Sequence, residues 1–166
     1  MGRQPVTYIP IGIIHSGHRL RDKTPIQPIF AQEFCGRAEI HAEFADGLRD
    51  IEAFSHIYLV FHIHQADPAR LIVKPFLQDK EHGVFATRAP CRPNPIGLSI
   101  VELIKREGNA LHFRGCDILD GTPLLDIKPY TKRFDCVATT HNGWHDQVDE
   151  KTARQRGKRA DQGEAP

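Results

Sequence analysis

Two stretches carry the residues whose types and spacing could do chemistry. The first, GVFATRAPCRPNPIGLSIV from Gly83 to Val101, holds two arginines, Arg88 and Arg92, and no carboxylate. Pro90, Pro93 and Pro95 lie close together within it. Each proline fixes its own φ and biases the residue before it towards extended backbone. A loop so constrained is stiff before anything binds, which suits a segment that must hold Arg88, Arg92 and Asn94 towards a ligand. The second stretch, GCDILDGTPLLDIKPY, places Asp117, Asp120 and Asp126 beside Lys128 and Tyr130, with a Gly121-Thr122-Pro123 turn between them. Asn94, Asp126, Lys128 and Tyr130 are the candidates for orienting a reacting nitrogen or taking its proton, with Asp126 or Tyr130 as the base. Two other chemistries fit the same residues. The three aspartates could serve as oxygen ligands of a metal-dependent hydrolase, or the arginines and neighbouring aromatics could hold a single RNA strand with no catalysis at all. His62 and His64 share a strand face, but no third metal ligand lies at a persuasive spacing, so no metal is expected.

The elements that must position these groups read as short strands. Val6 to Ile14 has Ile9, Ile11 and Ile13 on one face, and Gly12 within it marks a bulge or a close backbone approach. Arg37 to Phe44 alternates Ala38, Ile40, Ala42 and Phe44 inward against charged residues outward. Leu48, Ile51 and Phe54 recur at helical spacing and predict a short amphipathic helix. IYLVFHIH from Ile57 to His64 is apolar enough for a central strand. Leu71 to Phe76 follows as an edge strand containing Pro75. Ile96 to Ile104 and Ala110 to Arg114 flank a Glu107-Gly108-Asn109 hairpin turn, and Leu124 to Ile127 adds a last strand. With no alternation of strands and long helices, the reading is a mostly β, single-domain antiparallel β-barrel with short helices.

At 166 residues one domain is expected, covering residues 1–147. Within Thr131–Gln147, Phe134, Val137 and Trp144 suffice to dock on the body or on a second subunit. Residues 148–166 form a tail with almost no apolar side chains, and such composition predicts disorder. The formal net charge of +1 excludes whole-molecule attraction to nucleic acid, so an RNA site must be a local patch. No apolar run reaches the ~20 residues of a membrane span and no signal-peptide pattern opens the chain. Cys35, Cys91, Cys116 and Cys136 are scattered without a paired spacing, which predicts reduced thiols in a cytoplasmic protein.

FATRAPCRPNPIGLS followed by DILDGTPLLDIKPY resembles the signature of the TrmO family, also called YaeB or VirR-like, of S-adenosylmethionine-dependent tRNA methyltransferases. The likeness extends upstream to Ile11–Ile14 and Glu52–His56. It implies a β-barrel methyltransferase with S-adenosylmethionine as cofactor, acting on N6 of N6-threonylcarbamoyladenosine at position 37 beside the anticodon of threonine tRNA. It also implies a homodimer whose second subunit completes the site. Matched residue by residue, it assigns cofactor contacts to Pro25, Ile26 and Gln27, to His64 and Gln65, to Arg88, to Leu98, and to the Ile118-Leu119-Asp120-Gly121 run. Ile26 stands where the family carries an arginine. Arg92 is left as the candidate to read the substrate carboxylate through a bidentate pair.

Overall fold

The computed structural model describes residues 2 and 4–159. Its strands are β1 (Gly12–Ser16), β2 (Cys35–Ile40), β3 (His56–His62), β4 (Ile72–Val73), β5 (His82–Gly83), β6 (Ile96–Glu107), β7 (Ala110–Arg114) and β8 (Thr122–Pro129). Six of them close into an antiparallel barrel in the order β1-β2-β7-β6-β3-β8, while β4 and β5 pair separately. Alternation decides what faces in. Ile57, Leu59 and Phe61 of β3, Val101 of β6, Leu111 and Phe113 of β7, Ile14 of β1, Ala38 and Ile40 of β2, and Leu124 of β8 fill the interior. Interiors so packed follow from the period of two along each strand.

The β6–β7 hairpin forms as its turn residues predict, with Gly108 at φ +62°. Asn109 then ties the turn to the neighbouring strand, donating from Nδ2 to the Ile40 carbonyl at 2.6 Å. Where β1 crosses β2, a Cβ on Gly12 would lie 2.3 Å from the Glu39 carbonyl oxygen, so Gly12 marks a close backbone approach.

Several boundaries differ from the pattern. The first strand begins only at Gly12, because Pro5 and Pro10 lack donors for a ladder, and Val6 and Ile9 stay exposed. The second strand stops at Ile40. The chain then winds through 3-10 turns over Ala42–Leu48 and Ile51–Ala53, divided by Asp50 in the left-handed region at φ +67°, in place of one amphipathic helix. The edge strand shrinks to Ile72–Val73.

Past the barrel, α1 (Lys132–Asp135) and α2 (Glu150–Lys158) follow. The expected disorder of residues 148–166 is corrected by α2; residues 160–166 lie outside the described residues. Asp149 caps this helix, accepting from the Thr152 backbone N–H at 2.9 Å. It docks without apolar side chains, through the close seat of Gly157 on the Phe30 ring and through Arg156–Asp79 and Lys158–Glu33 pairs at 3.0 and 3.4 Å.

Gly12→Ala should cost about 1–3 kcal/mol, because the atom it meets is backbone and cannot swing away. Urea unfolding should show a lowered midpoint with an unchanged slope.

Candidate functional site

Antiparallel pairing brings the ends of β1, β3 and β7 and the starts of β2, β6 and β8 to one end of the barrel, its mouth. The assigned cofactor residues gather there from loops far apart in sequence. Arg88, exposed on its proline-bounded loop, donates to the Gln27 side-chain carbonyl. The Arg88 charge also reaches Asp117 and His145. Pro25 is buried and Ile26 half-buried beneath Gln27, and the Ile26 backbone N–H donates to the Gly157 carbonyl at 3.0 Å.

Where β3 ends and β8 begins, His64 Nδ1 lies 3.3 Å from Thr122 Oγ1, which donates to the Leu119 carbonyl at 2.6 Å. Burial, and then the neighbouring His62, hold the His64 imidazole below its ordinary pKa. It is therefore a neutral hydrogen-bonding group at pH 7, not a cation. The Gln65 carbonyl accepts from Arg21 at 2.8 Å, and its amide lies 3.4 Å from His64 Nε2. The Ile118–Gly121 run is strapped to the end of β1. Asp120 N–H donates to His18 O and Gly121 N–H to Ile14 O, each at 2.9 Å, and Asp120 Oδ1 accepts from Ser16 N–H at 2.9 Å. Asp120 also pairs with Arg19, so its side chain braces the loop. Gly121 adopts φ +74°, where a side chain would be strained.

Asp117 is the least expected group. Ser99 Oγ donates to its Oδ1 at 2.7 Å. Burial pushes its carboxyl up from 3.8 to about 7, against the pull of the Ser99 hydrogen bond and the Arg88 charge. A half-buried carboxyl that titrates near neutrality beside an arginine is a site-like arrangement.

Leu98, Asp126, Lys128 and Tyr130 lie on the barrel's outer surface. Leu98, 56% exposed, stands in one row with Val60 and Asp126 across β6, β3 and β8. Tyr58 and Lys128 form the next step of β3 and β8, and the Tyr58 and Tyr130 rings are 5.8 Å apart. Asp126 and Lys128 pair at 2.8 Å. Asn94 is exposed on the mouth loop. Arg92 has a different role from the one expected. Its Nη1 donates to the carbonyls of Thr87 at 2.7 Å and Val84 at 3.1 Å, and its guanidinium lies 5.9 Å from the Phe85 ring centre. It clasps the loop that carries Arg88, and a bidentate carboxylate reader would need that fork facing outward. Asp117, Asp120 and Asp126 are not brought together, and no group of three potential metal ligands converges among the described residues. Sequence reasoning missed Ser99 and His145, and it singled out Thr122 only as a turn residue and Trp144 only as a docking residue. Only the alternation that turns Ser99 inward was available as a signal.

A family model described as the tRNA-methyltransferase O N-terminal domain matches residues 13–136. The chain is 52% identical over 139 residues to a probable S-adenosyl-L-methionine-binding protein of Pyrococcus abyssi, covering 84% of this chain and 76% of that protein. It is 36% identical over 145 residues to the mouse tRNA (adenine(37)-N6)-methyltransferase, covering 82% of this chain and 34% of that one. The crystal structure of TrmO from Pseudomonas aeruginosa is similar with a TM-score of 0.70 and 39% identity, over 84% of this chain and 62% of that chain. The chain thus spans about a third of the mouse protein and less than two thirds of the Pseudomonas chain.

Because the folded state favours protonated Asp117, this group's contribution to stability is present below about pH 4 and is lost as pH rises towards about 7. Asp117→Asn should flatten that part of the pH profile of the unfolding midpoint.

Proposed function

The chain belongs to the TrmO family, and from that membership we propose that it is an S-adenosylmethionine-dependent tRNA methyltransferase acting on N6 of N6-threonylcarbamoyladenosine at position 37 of threonine tRNA. The observation that carries the reading is the meeting of Gln27 and Arg88 at the mouth of a TrmO-like barrel, from loops 61 residues apart.

The residues fit the cofactor. A guanidinium, a side-chain amide and the turn backbone of Ile118–Gly121 offer polar contacts to its amino-acid and ribose ends. Exposed Leu98 offers it an apolar surface. When bound, S-adenosylmethionine supplies a methyl group already activated on its sulfonium sulfur. That leaves the chain to orient and to move one proton, which is why it needs neither a nucleophile triad nor a metal. Arg88 orients through charge, and Arg92 keeps the Arg88 loop in one conformation so that little ordering entropy is lost on binding. Asp126, oriented by Lys128, takes the proton that N6 releases, while Tyr130 lies further along the same chain, against the Tyr58 ring.

A homodimer is part of the proposal. Ile96, Leu98, Ile100 and Ile104 put a line of exposed apolar side chains along the outside of β6, and Phe134 and Val137 are left uncovered by this chain. A second copy would cover them and bring its own outer face to the mouth. The cytoplasm, where tRNA is modified and the free cysteines stay reduced, is the proposed location.

Calorimetry should find saturable S-adenosylmethionine binding, weakened about tenfold or more by Arg88→Ala, which corresponds to at least ~1.4 kcal/mol. Labelled methyl should pass to threonine tRNA bearing threonylcarbamoyladenosine and not to the unmodified transcript. Asp126→Asn should lose transfer while keeping cofactor affinity. Equal labelling of both tRNAs would contradict the proposed acceptor.

A further inference from the structure

The segment from Gly143 to Arg159 lies beyond the residues matched by the family model, yet it touches both loops that meet at Gln27 and Arg88. One end holds the Arg88 loop. Trp144 Nε1 donates to the Ala86 carbonyl at 2.8 Å, two residues before Arg88. The Trp144 ring is stacked between His82 and His145, with ring centres 5.1 and 3.8 Å away. His145 closes the stack in the field of Arg88, where burial and then that charge hold its imidazole neutral near pH 7. The other end holds the Gln27 loop. The Gly157 carbonyl accepts from the Ile26 backbone N–H at 3.0 Å, and Arg159 donates to the Arg21 carbonyl while its guanidinium lies 3.7 Å from the Phe76 ring centre. Gly157 is buried, and a Cβ there would fall 2.4 to 2.7 Å from three carbons of the Phe30 ring. No larger residue permits that approach.

Neither loop has regular structure to fix it. The Gln27 loop consists of a short turn and an extended strand of chain, and the Arg88 loop leaves β5 through one 3-10 turn. Their relative position is therefore set by what bridges them. The strap does so at two points, with Arg156–Asp79 and Gln147–Gln78 contacts between them at 3.0 and 3.3 Å.

We propose that this C-terminal strap is a working part of the cofactor site, with Trp144 and Gly157 as positioning residues that hold the Arg88 and Gln27 loops in register for S-adenosylmethionine. The inference rests on the cofactor assignment above. It gives the site a further wall from a segment with no catalytic group of its own. By linkage, a strap that favours the bound arrangement of the loops must itself be stabilised when the cofactor binds.

The test uses the full-length chain in calorimetry with S-adenosylmethionine, together with amide hydrogen exchange across residues 143–159. Trp144→Ala and Gly157→Ala should each weaken binding about fivefold to tenfold, the scale of one lost bridging contact. Gly157→Ala is the sharper probe, since alanine is the better helix former and its only fault here is the collision with Phe30. Trp144→Phe, which keeps the stack and loses the N–H donor, should fall between Trp144→Ala and wild type. Cofactor should slow exchange across the strap in the wild type. Leu103→Ala, on β6 where the Leu103 N–H donates to the Ser55 carbonyl ahead of β3 and away from both loops, should lower the unfolding midpoint and leave affinity unchanged. Wild-type affinity in both strap variants, with Arg88→Ala still losing binding, would overturn the strap and leave the cofactor assignment standing. Equal weakening by Leu103→Ala would overturn it too, by tracing the effect to general destabilisation. Absence of binding by the wild type, with or without tRNA, would remove both.

Discussion

Closure of the barrel between β1 and β8 is the constraint on which the rest of the structure depends. That seam is short, running over Gly12–Ile14 against Thr122–Leu124, with one further bond from Ile11 N–H to the Leu124 carbonyl at 2.8 Å. Both partners are committed elsewhere: β1 to β2, and β8 to β3 along most of its length. On the other side of β1, Gly12 lets the β2 backbone approach closely. Beyond the seam, the bonds from Gly121 to Ile14 and from Asp120 to His18 continue the pairing as a loop rather than a ladder. The Ile118–Gly121 backbone at the mouth is therefore a direct extension of the closure. Loosening the seam would move that wall of the site before it unfolded the core.

Charge is deployed locally, in keeping with a net charge of only +1. Most cations on the surface are held by a carboxylate of their own, as in Arg37–Glu39, Lys105–Glu107 and Arg114–Glu102, and exposed pairs of this kind add little stability. Arg88 is different, because its side-chain partner is the neutral amide of Gln27, and Asp117, a carboxyl within reach of its charge, is partly protonated at neutral pH. A half-buried carboxyl that resists ionisation leaves the arginine's charge less neutralised, and so available to an anionic group of a ligand. Ser99 modulates this balance, since its hydrogen bond favours the charged form of Asp117.

Strand pattern carried most of the barrel. The alternation from Arg37, the apolar run from Ile57 and the Gly108-Asn109 turn specify elements by local chemistry alone, and the structure forms strands over Cys35–Ile40, His56–His62 and Ala110–Arg114. The motif around Arg88 and the one around Asp120 were legible as a resemblance, and both lie at the mouth. What escaped was determined by tertiary contact. Arg92 looks like any ligand-facing arginine in one dimension, and only the fold of its own loop turns it towards the Val84 and Thr87 carbonyls. The helix at Glu150–Lys158 was hidden by composition. Its local signal, an aspartate capping a threonine three residues on, was present, but its docking depends on a glycine fitting a phenylalanine ring 127 residues earlier in the chain.

Strand parity finally bears on where the reaction can occur. Arg88, Gln27 and Asp117 cluster at the mouth, whereas Asp126, Lys128 and Tyr130 descend the outer face of β8 away from it. From Thr122 at the mouth to Tyr130 is eight residues, about 26 Å at ~3.3 Å per residue. A single methyl group cannot sit within reach of both ends of such a strand. Leu98 shares the outer face with Asp126, in the same cross-strand row, so apolar surface and candidate base already lie together there. If the outer face of one copy packs against the mouth of another, the two halves of the chemistry meet without either strand bending. The exposed apolar line along β6 is the surface on which that packing would run. In that arrangement the proposed second copy would serve the chemistry as well as cover apolar area.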